Sequence, residues 1–439
     1  MAYSRDFILL EIIFVFIIVG SLAISYNLHL YRLELERAVV GNTATADDYY
    51  NEYTRSVFQL VEEVKRDLSR IRHLNFTREI DVVLINTTWA IETWAPKYDG
   101  VPEDTIYKEK MYKATLLVPY NFSLVAGQRG WVAMFLAATA GTTLYINTDY
   151  FNLQDGGARN VLVHELTHIL QHLHFRMEIG RSSADSMMAA SALIEGDAGW
   201  AQHLYCIDTG LCRPSPTVSM DLSNPYISLL LFPYIYGENF VRRLYTYGGW
   251  ELVNRAYSKP PISTSMVMKP ERYIAYLFNA SYVPEDVLIS RDFCQYGDPL
   301  YIDTLGEYYI LLVLAQRVGL DSATRAADGW NGDRIELYRG LDTGYLRWVV
   351  CWNTSWSSPE DAGEFYEVFV QALRRETEHV SAHKDVAHAR IYTREVEGGW
   401  EPGIERAQPS IALTILLSGR YVVIISEISE PAYVCKVCS

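Results

Sequence analysis

Hydrophobic and polar positions along this chain follow several different patterns, and the changes between them divide it. Residues 7–26 are an almost unbroken apolar run with a single charge, Glu11, and about twenty such residues span a bilayer as a helix. Residues 47–72 set apolar side chains at helical spacing among charges and predict an amphipathic helix. The run EIDVVLI predicts a strand, and GWVAMFLAATAGTTLYINTD predicts two strands around a turn of small residues. Helical spacing returns in NVLVHELTHILQHLHF, where Val161, Leu162, Leu166, Ile169, Leu170 and Leu173 leave few polar positions. That segment predicts a mostly buried helix. Residues 182–205 open on Ser and Asp at a cap and continue with good helix formers.

Aromatic-rich helices are predicted next by LLLFPYIYGENFVRRLYTYGGWELVNRAY, DTLGEYYILLVLAQRVG and PEDAGEFYEVFVQALRRE. The tail becomes β-branched in HARIYTREV and SIALTILLSGRYVVIISEI. Ser-Gly before Arg420 suits a hairpin turn, and a central arginine is costly in a bilayer, so the last run reads as two strands. The expected fold is α+β and mainly helical. It has an N-terminal transmembrane helix (1–30), an amphipathic helical linker (31–78) and a metal-binding core with a small sheet beside the histidine helix (79–210). A helical domain completes the cleft (211–380), and a β segment ending in CxxC (381–439) carries a C-terminal hairpin.

Composition changes this picture in three places. The net charge of −15, with no cluster of Lys and Arg, argues against a nucleic-acid partner. Five N-x-S/T sequons, at Asn75, Asn86, Asn121, Asn279 and Asn353, are candidate glycosylation sites. Six cysteines include the close pair Cys206 and Cys212, then Cys294, Cys351, and Cys435 with Cys438. Behind an export signal they allow up to three disulfides in any of several connectivities. The expected location is therefore a single-pass membrane protein with its body outside the cytoplasm. Ser21 and Ala23 resemble a signal cleavage site, so secretion after cleavage is the alternative.

His164 and His168 stack one turn apart on one helix face, the spacing at which two neutral imidazoles hold one zinc ion. Glu165, next around the helix, reaches the edge of that site as a general base. His168 and His172 are also one turn apart, but no carboxylate follows His168, so only the first pair brings a base. His172 and His174 read as polar groups toward the helix end. Glu195, between Ile194 and a run of small residues, shares its helix face with Ala198, Gly199 and Gln202. Small side chains let a second helix approach, which suits Glu195 as third ligand with water in the open position. Asp197 points about 200° away and reads as a partner that supports the ligands from behind. Candidate donors to a developing oxyanion are Tyr234, Tyr236, His203, Arg334 and Lys269.

HELTH with the later ALIEGDA resembles the gluzincin class of zinc metallopeptidases. More closely, residues 160–373 resemble a largely uncharacterised family of archaeal and bacterial surface proteins. The shared pieces are HELTHILQHLHF, ALIEGDA, FPYIYGENFV, GGWELVNRAYSKPPIST, KPERY, AADGWNGDR and DAGEF. The resemblance implies a zincin-like core, one zinc per chain on His164, His168 and Glu195, Glu165 as base, and a peptide or protein substrate. One departure stands out: Lys269 and Pro270 occupy the place where the resemblance leads us to expect His-Pro, so any role of that histidine is lost or altered here. A cell-surface binding or structural glycoprotein on an inactive zincin-like scaffold is the rival expectation, and a hydrolase of non-peptide bonds is another. No motif encodes the oligomeric state.

Overall fold

The computed structural model describes residues 46–94, 101–125, 136–154, 156–176, 183–279, 281–342, 345–392 and 410–431. The anchor read over residues 1–30 and the terminal CxxC lie outside the described residues. Among the described residues, no helix is long and apolar enough to cross a membrane.

The first half builds a small sheet and a bundle around the histidine helix. Helix α1 (Ala46–Arg72) buries Val57, Leu60, Val61, Val64 and Leu68, a single stripe at helical spacing. Strand β1 (Asp81–Ile85) leads into α2 (Thr87–Trp94) and α3 (Glu103–Ala114). Strands β2 (Ala137–Ala140) and β3 (Thr143–Asn147) form the expected pair around Gly141, whose φ of 63° suits glycine. The sheet order is β1-β3-β2, so β2 is an edge strand. Against it packs α4 (Gly156–His174), followed by α5 (Ala184–Thr209). Helix α5 starts at a reciprocal Ser183–Ser186 capping box and stops at Gly210 in the left-handed conformation.

Helices α6 (Pro225–Leu230) and α7 (Phe232–Ala256) follow, the latter broken at Gly248 and Gly249, then α8 (Thr264–Met268) and α9 (Pro270–Asn279). Helices α5 and α7 cross with their backbones touching. A Cβ on Gly196 would lie 2.1 Å from the Gly237 carbonyl oxygen, and one on Gly237 would lie 2.5 Å from the Ala192 carbonyl oxygen. This contact sets the helix that carries Glu195 against its neighbour. Gly196→Ala is expected to force the helices apart and lower stability by about 1–3 kcal/mol in a denaturant titration. A control in the helix Pro359–Glu376 is Gly363→Ala, where a new Cβ meets nothing within 4 Å. It should gain up to about 1 kcal/mol from helix propensity, and equal shifts in both variants would refute the close-crossing argument.

The second half is where the expectation needs correction. The three aromatic-rich helices are present as α6 with α7, α10 (Gly306–Val318) and α12 (Pro359–Glu376), with α11 (Leu320–Asp328) between the last two. However, residues 211–380 are not a helical domain. They also contribute β4 (Tyr301–Asp303), β5 (Trp330–Asp342) and β6 (Tyr345–Trp356) to a seven-stranded antiparallel sheet. The rest comes from β7 (Val380–His383), β8 (Val386–Tyr392), β9 (Ser410–Ser418) and β10 (Tyr421–Pro431), in the order β4-β5-β6-β10-β9-β8-β7. The C-terminal hairpin read from the tail is β9–β10, and β10 pairs with β6 along its whole length. The period-2 signal is missing because β6 is covered on both faces. Trp348, Val349, Val350, Cys351 and Trp352 are all buried, and alternation marks only half-buried strands.

Two disulfides close among the described residues, Cys206–Cys212 and Cys294–Cys351, as in proteins of oxidising compartments. Asn75, Asn86, Asn121 and Asn279 are exposed. Asn353 lies on β6 with its side-chain amide donating to the Leu288 carbonyl (2.8 Å), so its sequon is an internal strand position in the folded chain.

Candidate metal centre

Helix α4 turns its histidine face toward α5, and three donor side chains meet there. His164 Nε2 lies 3.2 Å and His168 Nε2 3.4 Å from the same oxygen, Glu195 Oε2. One ligand atom from each residue falls within 4.8 Å of the others, and this is the one such His/Cys/Asp/Glu trio among the described residues. His164 and Glu195 are buried, and His168 retains slight exposure. The group can hold a metal ion: two imidazoles and a carboxylate, drawn from two helices, match the nitrogen and oxygen donors that divalent transition metals accept. His172 is exposed, and exposed His174 points away to the Asn75 carbonyl oxygen at 2.7 Å. The pair with a carboxylate directly after its first histidine is the pair that converges.

Behind the three donors sits a buried polar chain. His168 Nδ1 is 2.9 Å from Gln171 Oε1, and the Gln171 amide nitrogen donates to the Ile194 carbonyl (2.9 Å) and to Asp197 Oδ2 (3.2 Å). Asp197 accepts two bonds from Arg72, at 2.8 and 3.0 Å, and a third from the Tyr257 hydroxyl at 2.7 Å. The Arg72 guanidinium also lies 4.1 Å from the Trp250 ring centroid. Asp197 is thus linked to His168 through Gln171. Gln171, Arg72 and Tyr257 escaped the sequence reading. Gln171 had a signal, a polar residue one turn after His168. Arg72 and Tyr257, 125 and 60 residues from Asp197, had none.

Glu165 is buried beside the ligands, with Oε2 accepting from the Thr139 hydroxyl of β2 at 3.2 Å. Burial pushes its carboxyl up to about 7, with the Glu195 charge adding and His168 and Thr139 opposing. Burial also raises Glu195 and drives His164 well below the usual imidazole range. For His168 burial opposes the charged form, but the nearby Glu195 and Glu165 carboxylates carry it up to about 9. These directions belong to the polypeptide alone, and a bound cation would add its own charge. Two buried carboxylates beside two imidazoles form a site whose charge a divalent cation could compensate.

Of the five candidate donors, Tyr234 is the one brought to this site. Its hydroxyl is buried, and burial together with the Glu195 and Glu165 charges raises its phenol well above the usual range. Tyr236 packs on Phe232 and Tyr308, with ring centroids 5.3 and 5.6 Å away. His203 stacks on Trp200 and pairs with Glu238 at 3.3 Å. The Lys269 ammonium is held by Glu307 (2.6 Å) and Asp328, and Arg334 donates to Glu336 (2.7 Å) on β5. Those four are engaged in other contacts.

Among known proteins, the family described as "Domain of unknown function (DUF8575)" matches residues 295–425. The similarity runs from just before β4 into β10, over the large sheet, and does not include His164, His168 or Glu195. No curated protein and no solved structure matches the chain.

Proposed function

We propose that this chain is a membrane-anchored, extracytoplasmic zinc-dependent metallopeptidase. The observation that carries the reading is the convergence of His164, His168 and Glu195 from two helices, with the buried carboxylate Glu165 beside them. The resemblance of HELTH and ALIEGDA to gluzincin motifs points the same way, and the apolar run at residues 7–26 with the two disulfides supports the location.

Bound there, zinc supplies Lewis acidity to a carbonyl oxygen and acidity to a water. The chain's own residues would do the rest. Glu165, with its carboxyl near 7, is suited to take a proton from the attacking water at neutral pH and hand it to the leaving amine. Thr139 holds Glu165 in place through its hydroxyl. The Tyr234 phenol, kept protonated by burial, is the donor available to a developing oxyanion. Strand β2 pairs with β3 and with no other described strand, so its second edge offers main-chain groups to an extended peptide.

The test is metal analysis of the purified protein beside cleavage of a broad peptide library. About one zinc per chain is expected, removed by a chelator, with peptide cleavage lost on removal and regained on zinc addition. Excess zinc at about 100 times its Kd should raise stability by roughly 2.7 kcal/mol. Glu195→Gln should weaken zinc retention at least tenfold in a chelator competition, and wild-type retention in that variant would strike Glu195 from the ligand set. Zinc in stoichiometric amount without any peptide cleavage would sink the peptidase reading and favour a structural site.

A further inference from the structure

We propose that Gln171 is a positioning residue for the metal centre, and that the buried Arg72–Asp197 pair, together with the Ile194 carbonyl, sets which way its amide faces. The consequence is that the seating of α1 on the body controls metal retention. The proposal rests on the metal-site reading above and deepens it.

The direction of each hydrogen bond follows from what each group can donate. The Ile194 carbonyl only accepts, and so does the Asp197 carboxylate, which takes bonds from Arg72 and Tyr257. The Gln171 group facing those two acceptors is therefore its NH₂, which turns the carbonyl oxygen Oε1 toward His168. Oε1 cannot donate, so His168 Nδ1 must carry the hydrogen across the 2.9 Å contact. The neutral ring then has its lone pair on Nε2, the atom facing Glu195 Oε2 and the metal position. Reversing the amide would reverse this outcome: NH₂ toward His168 would call for a bare Nδ1, and the neutral ring would point N–H at the metal position.

What holds the amide is Asp197 beside the Ile194 carbonyl, and what holds Asp197 is Arg72. Both side chains are fully buried, so no water substitutes for either. Arg72 is the last residue of α1, and its guanidinium is seated against Trp250 of α7. A helix from the N-terminal side of the chain thus reaches the metal centre through four side chains: Arg72, Asp197, Gln171 and His168. The coupling comes from a neutral amide, whose two ends differ, so the relay has a direction that an ionised carboxylate with its two equivalent oxygens would lack.

The experiment compares zinc affinity, by competition with a chromophoric chelator, in four forms of the full chain: wild type, Gln171→Met, Asp197→Asn, and the double variant Arg72→Met/Asp197→Leu. Thermal melts are recorded alongside, and histidine ¹⁵N spectra report the tautomer of His168. Gln171→Met keeps the side-chain volume and should cost about 10- to 100-fold in zinc affinity. Asp197→Asn should weaken zinc and, among neutral His168 rings, reveal a population with Nε2–H. The double variant replaces the buried pair with apolar groups of similar size, so its melt should recover toward wild type, less the bond lost by the Tyr257 hydroxyl, while zinc affinity still falls. A merely structural role for the pair would instead return zinc affinity along with the melt, overturning the α1 part of the proposal. Wild-type affinity and tautomer in Gln171→Met overturn the whole relay. Absence of zinc from the wild type overturns the metal-site reading and this proposal together, which separates that failure from a failure of the relay alone.

Discussion

Replacing Glu165 by Gln is expected to leave the zinc and the fold in place while slowing peptide cleavage by about 10²- to 10⁴-fold, the usual effect of removing a general base. Glu165 stands beside the donor trio without belonging to it, and its neighbour on that side is the Thr139 hydroxyl. The amide of Gln retains an oxygen for Thr139 and nearly the same volume, so packing on β2 has little reason to change. Proton acceptance is what disappears. The burial that holds Glu165 near 7 also makes the neutral replacement inexpensive, because an uncharged amide suits an apolar setting. The measurement is kcat/KM on a substrate from the library, with zinc content determined on the same preparation. Wild-type cleavage by the variant would mean that another group takes the proton or that the activity belongs elsewhere.

The second large effect concerns stability. Asp197→Ala should lower the unfolding free energy by about 3–5 kcal/mol, because it leaves the Arg72 guanidinium buried without its anion. The loss should also disturb the Tyr257 hydroxyl and the Gln171 amide, which both bond Asp197. Urea or guanidinium unfolding of the wild type and variant measures the difference. Arg72→Met/Asp197→Leu should recover most of it, since a matched apolar pair removes both desolvation costs together. A single variant indistinguishable from wild type would show that water reaches Arg72 and that the pair is less enclosed than its burial implies.

How much of this was legible beforehand differs from residue to residue. His164, Glu165 and His168 were readable because a helix is a local structure: spacing in the chain translates directly into position on a face. Glu195 was readable for a related reason, since Ala198 and Gly199 on its face signalled a close helix crossing; the residue that meets the backbone of Gly237 is the neighbouring Gly196. Tyr234 could be named but not singled out, because position in sequence could not separate it from Tyr236, His203, Lys269 and Arg334. The other four are engaged elsewhere, Arg334 by Glu336 on its own strand and Lys269 by Glu307 and Asp328 on other helices.

The sequence by itself determined the helices with one apolar face, the β2–β3 and β9–β10 hairpins with their short turns, and the motif that brings two imidazoles to one side of α4. Each depends on contacts within a few residues, so the pattern carries them. The tertiary structure decided the rest. It placed β5 and β6 in the interior of a seven-stranded sheet, where burial on both faces erases alternation. It also assembled the support behind His168 from Arg72, Asp197 and Gln171, side chains on three separate helices. A buried ion pair or a hydrogen-bonded amide is selected by what lies opposite it in space, and the partner of Arg72 is 125 residues away. Local periodicity holds no record of such a pairing, because it follows from how the helices are packed together.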